Sequence, residues 1–271
     1  MAYDEIRVST ATKNAVIQMA KDKTVRQQAS NEEWQVRVDL AACYRAIAMY
    51  GWDDLIFTHV SARVPGPDEH FLINAYGMLF EEMTASSLIK VDLNGEKVLD
   101  SPYPINPAGF VIHSAVHEAR HDVACVLHTH TKSGIAVSAQ ADGLLPLSQI
   151  SLFAFITLGY HDYEGIALND EEKPRLVADL GNNNALILRN HGLLTVGPSI
   201  ADAFLLMYAL ETACQTQILA QSTAGDLQLV PQPVVDGIQA QVDDVLKGLG
   251  GQLVWPGLLR KLDRADSSFR D

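Results

Sequence analysis

The chain has 271 residues, 48% of them apolar, with 33 acidic side chains against 20 basic ones and a formal net charge of −13. That length and composition suit one large globular domain or two small ones, and the acidic balance without any basic cluster excludes nucleic acid and anionic membrane as partners. The opening MAYDEIRVSTATKN lacks a signal-peptide core and no segment approaches the roughly 18 uninterrupted apolar residues of a membrane span, so a soluble cytoplasmic protein is expected.

Residues 1 to 30 are polar and without sustained periodicity, which predicts an N-terminal arm. Ser30 and Glu33 make a capping box, and Trp34, Leu40, Ala41, Tyr44, Ile47 and Ala48 follow at helical spacing until Gly51. LIFTHVSARV and EHFLINAYG read as paired strands across the PGPDE turn. TASSLIKVDLNGEKV reads as a short capped helix, a strand and an Asn-Gly turn. PAGFVIHSAVHEA has helical period with Pro107 at its first position, and DVACVLHTH is a strand. KSGIAVSAQ predicts a helix ended by Gly143, and SLFAFITLGY a strand. NDEEKPRLVADLG predicts a helix capped by Asn169 or Asp170 and ended by Gly181. ALILRN and HGLLTVG are strands about a turn, and PSIADAFLLMYALETACQTQILAQS is the longest helix. Two weaker helical stretches, GIQAQVDDVLKGL and GLLRKLDRADSSF, finish the chain. These elements divide into an arm (1–30), a main domain (31–222) and a C-terminal helical extension (223–271). Strand pairs and the short turn predict an α/β fold, a mainly antiparallel sheet with helices on both faces. Cys43, Cys125 and Cys214 lie in apolar contexts and are expected as buried free thiols.

Four of the nine histidines fall in HEARHDVACVLHTH, residues 117 to 130. HEARH matches the H-E-x-x-H zinc-binding helix, but such a helix must run through its second histidine, and here Asp122 and a β-rich run follow at once. No third ligand of that geometry is recognisable downstream. Strand alternation instead places His128 and His130 on one face, with Thr129 on the other. His191 in RNHG stands at the end of another apolar strand, where open sheets put their chemistry. Three neutral imidazoles suit Zn²⁺, with Mn²⁺, Fe²⁺ or Co²⁺ as alternatives, and leave coordination positions open for substrate. The plain alternative is a polar strand end and a turn residue. His113, four residues before His117, looks toward the site or toward a partner subunit, and His59 lies on an early strand. Tyr163 in HDYEG is a candidate to line the site.

GWDDLIFTHVSAR, EHFLINAYGMLFEEMTASSL, NPAGFVIHSAVHEARHDVACVLHTH, GYHDYEG and LILRNHGLLTVG, in that order over residues 32 to 222, resemble the class II aldolase and adducin family, with the adducin head the nearest in form. The resemblance implies a three-layer α/β/α sandwich around a mainly antiparallel sheet, a homotetramer with sites between subunits, and Zn²⁺ on His128, His130 and His191. Sugar-phosphate aldolases of the family carry a Ser-Ser-Glu stretch whose glutamate is the base. The matching positions here are Pro107, Ala108 and Gly109, and the phosphate-holding Gly-Asn is Thr58 and His59, although Gly77 remains. The resemblance therefore points to a small-molecule substrate held near Gly77, Thr58 and Asn106, with Tyr163, His113 and His59 as catalytic candidates, His113 as fourth ligand or substitute base. It implies no actin partner, because the basic tail of adducins is missing.

The expected activity is that of a divalent-metal-dependent lyase, of decarboxylase or aldolase type, cleaving a C–C bond of a small hydroxy-carbonyl or carboxylate compound through a metal-stabilised enolate. Decarboxylation suits it better, since loss of CO₂ needs no base. The alternatives are a non-catalytic oligomeric scaffold, or a sugar-phosphate epimerase or dehydratase on the same site.

Overall fold

The computed structural model describes residues 24–166 and 170–271. Most of the expected arm lies outside these residues, as does Asn169. The described part opens with a single capped turn, α1 (Val25–Gln28), and then α2 (Asn31–Tyr50), which ends at Gly51 in the left-handed region, φ 68°. Ser30 Oγ caps α2 by accepting from Glu33 N at 3.1 Å, but the expected reciprocal bond is not made. The Glu33 carboxylate is instead held by Arg37 at 2.8 Å and Lys90 at 2.9 Å, a buried pair that ties the helix to the sheet edge.

Seven strands follow: β1 (His59–Arg63), β2 (Phe71–Ile73), β3 (Ile89–Val91), β4 (Cys125–Thr129), β5 (Leu158–His161), β6 (Ala185–Leu188) and β7 (Gly192–Gly197). They form one sheet of order β3-β2-β1-β4-β7-β6-β5, antiparallel throughout except for the parallel β5–β6 pair. Alternation along the strands makes two dry faces. On one, Val60, Ala62, Cys125, Leu127, Ile187 and Leu193 pack with α2 and with α7 (Ile200–Gln221). On the other, Val126, Leu186, Leu188, Leu194 and Val196 pack with α3 (Pro107–Ala119) and α6 (Lys173–Leu180). This is the expected α/β/α sandwich on a mainly antiparallel sheet.

Four local expectations are corrected. Residues 84–88 form no helix: Thr84 and Ser87 exchange backbone-to-hydroxyl bonds of 2.9 and 3.3 Å that close a turn instead. SLFAFITLGY is a strand only in its second half. Its first half belongs to α5 (Gln149–Phe155), nucleated by a Ser148–Ser151 capping box, with Leu152 buried against the C-terminal helices. The helix beginning KSGIAVS, α4 (Lys132–Ser138), stops before Gly143, and α6 has no side-chain cap because a 3-10 turn, Asp170–Glu172, runs straight into it.

The C-terminal residues form α8 (Gln232–Leu246) and α9 (Gly250–Ala265). Trp255, Leu258, Leu262 and Phe269 belong to the same core as α2 and α7, and Trp255 Nε1 donates to Asp39 at 2.9 Å. All three cysteines are buried free thiols, and burial pushes each thiol up. Among the described residues no helix is long and apolar enough to cross a membrane.

Candidate metal centre

The α3/α6 face of the sheet carries the chemistry. His128, on β4 directly opposite His59 of β1, points to this face, while Thr129 turns to the other and meets Met207 sulfur at 3.4 Å. His130 stands one residue beyond β4. His191 is brought to the same place by the β6–β7 turn, in which Asn190 adopts a left-handed φ of 58°. Gly192 allows that turn to close against β4, because a Cβ there would lie 2.4 Å from the Thr129 carbonyl oxygen. The ring centroids of His128, His130 and His191 form a near-equilateral triangle, 4.7, 4.8 and 4.8 Å on its sides. One ligand nitrogen from each lies within 4.8 Å of the other two.

The protonation of two of these rings follows from their partners. His128 Nδ1 is 2.9 Å from the Leu193 carbonyl, and His130 Nδ1 is 3.0 Å from Asp54 Oδ2. Neither a carbonyl nor a carboxylate oxygen can donate, so both Nδ1 atoms carry a hydrogen and each ring turns its Nε2 toward the other. Those two Nε2 atoms are 2.9 Å apart. Two ring nitrogens that close need a proton or a metal ion between them. Burial, then His191, His130 and His59, holds His128 well below the ordinary imidazole range, and burial, with His130 and His161, lowers His191 to about 4. Three converging imidazoles, two of them with one nitrogen tied back, are a donor set that suits a divalent ion.

The three histidines open on a cavity of about 450 Å³ whose wall also includes Asp54, Phe57, His59, Tyr76, Asn106, Ala108, Ile112, Tyr163 and Ile166. A second cavity of about 450 Å³, beside Trp255 and Pro198, is otherwise apolar apart from Arg63, Asp39, Ser199 and Gln252, and among the described residues no cluster of ligating side chains faces it.

The other expected site residues separate into those on the wall and those off it. Tyr163 is half-exposed on the rim, its ring 6.3 Å from that of His191. Asn106 caps α3 by accepting from Ala108 N and Gly109 N at 3.1 and 3.4 Å and also lines the cavity. His59 lines it too, with its ring 5.0 Å from that of His128. Gly77 is not on the wall; its left-handed φ of 108° turns the chain behind Tyr76. Thr58 is a correction: it precedes β1 off the cavity wall, and its hydroxyl is sealed in the interior without a partner among the described residues. His113 is also corrected as a fourth ligand, because both its nitrogens are engaged, Nε2 by His59 at 2.7 Å and Nδ1 by Ser61 at 2.5 Å. The zincin alternative fails as expected: α3 ends at Ala119, His121 is an exposed side chain beside Glu69, and His117 is buried on Ser61.

Gly109 and His59 explain each other. A Cβ at Gly109 would lie 2.5 to 2.9 Å from the His59 ring, so the imidazole occupies the volume that any side chain of residue 109 would enter. The ring stands where a side chain of residue 109 would project, so the glycine and the histidine go together. Asp54, which orients His130, and Tyr76 were not among the sequence candidates. GWDDL marks Asp54 only as an acidic residue just past a helix, and nothing local links it to a histidine 76 positions away.

The family described as Class II Aldolase and Adducin N-terminal domain matches residues 38–218. A Pseudomonas aeruginosa protein named for aldolase class 2 is 61% identical over 249 residues, covering 91% of this chain and 96% of its own. The crystal structure of an aldolase II superfamily protein from Pseudomonas syringae superposes with a TM-score of 0.87 at 54% identity, over 92% of this chain and 100% of that one. An L-fuculose 1-phosphate aldolase from Glaciozyma antarctica follows with a TM-score of 0.74 at 28% identity, over 89% and 93% of the two chains. With its fold, its ordered motifs and these relatives in agreement, the chain belongs to the class II aldolase and adducin N-terminal domain family.

Proposed function

We propose that the protein is a metal-dependent carbon–carbon lyase acting on a small hydroxy-carbonyl or carboxylate compound, with Zn²⁺ as the first candidate ion, held by His128, His130 and His191. The observation that carries this reading is the convergence of three imidazoles on one point, with the Nε2 atoms of His128 and His130 2.9 Å apart and each of those two rings fixed by a bond to its Nδ1. When bound, such an ion supplies a Lewis acid that draws electron density from a chelated substrate oxygen. The chain's own residues choose among the reactions of that kind. Asp54 is the sole carboxylate on the cavity wall among the described residues and is engaged with His130, while Gly109 leaves the usual base position empty of any acid. A site short of a base favours decarboxylation, in which departure of CO₂ leaves the electron pair behind. Tyr163, on the rim, is the proposed proton donor to the resulting carbon, and Asn106 and Tyr76 bound the space beside the substrate. The exposed apolar side chains Phe57 and Ile166 on the cavity wall support a homo-oligomer, proposed as a cytoplasmic tetramer by family likeness.

The test pairs metal analysis with turnover. Protein purified without chelator is assayed for bound metal, then incubated zinc-loaded with small hydroxy and keto acids while CO₂ release is followed. CO₂ release that disappears in His128→Ala supports the reading. Cleavage of sugar phosphates to aldehydes without any CO₂ release would replace it with an aldolase.

A further inference from the structure

Behind the cavity wall runs a chain of buried groups that metal binding does not use. His59 Nδ1 is 2.7 Å from His113 Nε2, His113 Nδ1 is 2.5 Å from Ser61 Oγ, and Ser61 Oγ is 2.7 Å from His117 Nε2. The chain stops at His117 Nδ1, a buried atom with no partner. Its other end, His59 Nε2, has no protein partner among the described residues and is not among the sealed polar atoms, so it opens on the cavity that His59 lines. The three rings are 0 to 3% exposed and no carboxylate touches them, so each is neutral with one hydrogen. Burial, with the charge of Arg63, lowers His117 to about 3, and burial puts His113 below its ordinary range as well.

Ser61 has a single hydrogen and stands between two ring nitrogens, which leaves three arrangements. If His113 Nδ1–H donates to Ser61 and Ser61 donates to His117, then His117 Nδ1–H is a buried donor with nothing to accept it. If both rings donate to Ser61, its own hydroxyl hydrogen is stranded, since no other acceptor lies within reach of Oγ among the described residues. In the third, His117 Nε2–H donates to Ser61, Ser61 O–H to His113 Nδ1, and His113 Nε2–H to His59 Nδ1. Only there is every buried hydrogen used, and the one unpaired atom is a bare nitrogen. An orphaned buried N–H is the rarer and costlier defect.

We infer that this relay locks His59 in the tautomer that presents Nε2–H to the cavity, making His59 a neutral hydrogen-bond donor to the substrate oxygen on which negative charge develops, and not a base. Ser61, His113 and His117 are positioning residues that act through it. The inference deepens the lyase reading and rests on it for the substrate's place. It also accounts for the exchange at Gly109: where other members hold a proton acceptor, this chain holds a fixed donor, which suits a reaction that generates charge without removing a proton.

Neutron diffraction from the perdeuterated protein, metal-free and zinc-loaded, reads the inference directly. Deuterium is expected on Nε2 of His59, His113 and His117 and on Nδ1 of none of them. Deuterium on His59 Nδ1 with a bare Nε2, or two deuterons on any of the three rings, would overturn it. In solution, Ser61→Ala is expected to raise the Kd of zinc-loaded protein for glycolohydroxamate, a chelating enediolate mimic, about tenfold, with zinc affinity unchanged. An unaltered Kd for the hydroxamate contradicts the relay. Wild-type protein that binds no zinc sinks the lyase reading instead, and the tautomers are still decided by the metal-free crystal.

Discussion

Two histidine clusters share one face of the same sheet and behave in opposite ways. In His128 and His130, the bonds from Nδ1 to Leu193 O and Asp54 turn the two Nε2 atoms toward one point, 2.9 Å apart. In His59, His113 and His117, each hydrogen is handed to the next group, and the only unsatisfied interior atom is one nitrogen at the far end. Counting histidines cannot distinguish the two. Following each ring's bonds does: a cluster whose free nitrogens converge on one point suits a cation, and a cluster that passes its bonds along in a row is a relay.

The sharpest way to break this contrast is to remove a nitrogen from the first cluster. His191→Ala is expected to weaken zinc binding by about a thousandfold, beyond the 10- to 100-fold range of outer-shell changes, as read by calorimetric titration, while His117→Gln leaves zinc affinity unchanged. Equal losses in both would erase the distinction. Next comes the tie-back: Asp54→Ala frees the His130 ring, and zinc affinity is expected to fall about 10- to 100-fold with melting temperature nearly unaltered, since Asp54 is half-exposed.

A third substitution probes the seam between the clusters. Gly109→Ala drives a methyl into the His59 ring and is expected to cost about 1–3 kcal/mol in urea unfolding, whereas in a His59→Ala background the same change costs little. Additive effects would mean that ring and glycine are independent. The smallest effect is one of pH. His117 has a folded pKa of about 3 against an ordinary 6.5, so the unfolded chain takes up a proton in that window that the folded one refuses. Its contribution to stability is therefore complete above pH 6.5 and is lost as pH falls toward 3. Metal-free wild type should lose melting temperature more steeply than His117→Gln between pH 6.5 and 5, and parallel curves would refute the assignment.

How much of this could be read in the sequence depended on distance along the chain. His128 and His130 are two residues apart on a strand, so alternation alone put them together, and the same alternation dismissed HEARH by ending α3 before His121. The sheet and its covering helices were legible because long apolar periods survive local ambiguity. LFAFIT was not, since its β-rich composition is overruled by the Ser148 cap and by burial of Leu152 under α8. Asp54 and the His59–Gly109 exchange were invisible for a different reason: each is a contact between loops, strands and helices that only the closed fold brings into register. His113 illustrates the limit, placed near the site by its helical spacing but given the wrong partner, because its spacing could not show Ser61 and His59 in between.

The most direct measurement is a zinc titration of metal-free wild-type protein with His128→Ala alongside. One ion bound per chain in the wild type, and no stoichiometric binding in the variant, is the predicted result. A wild type that binds no ion, or a variant that binds as tightly, would contradict the reading that His128, His130 and His191 converge for a metal.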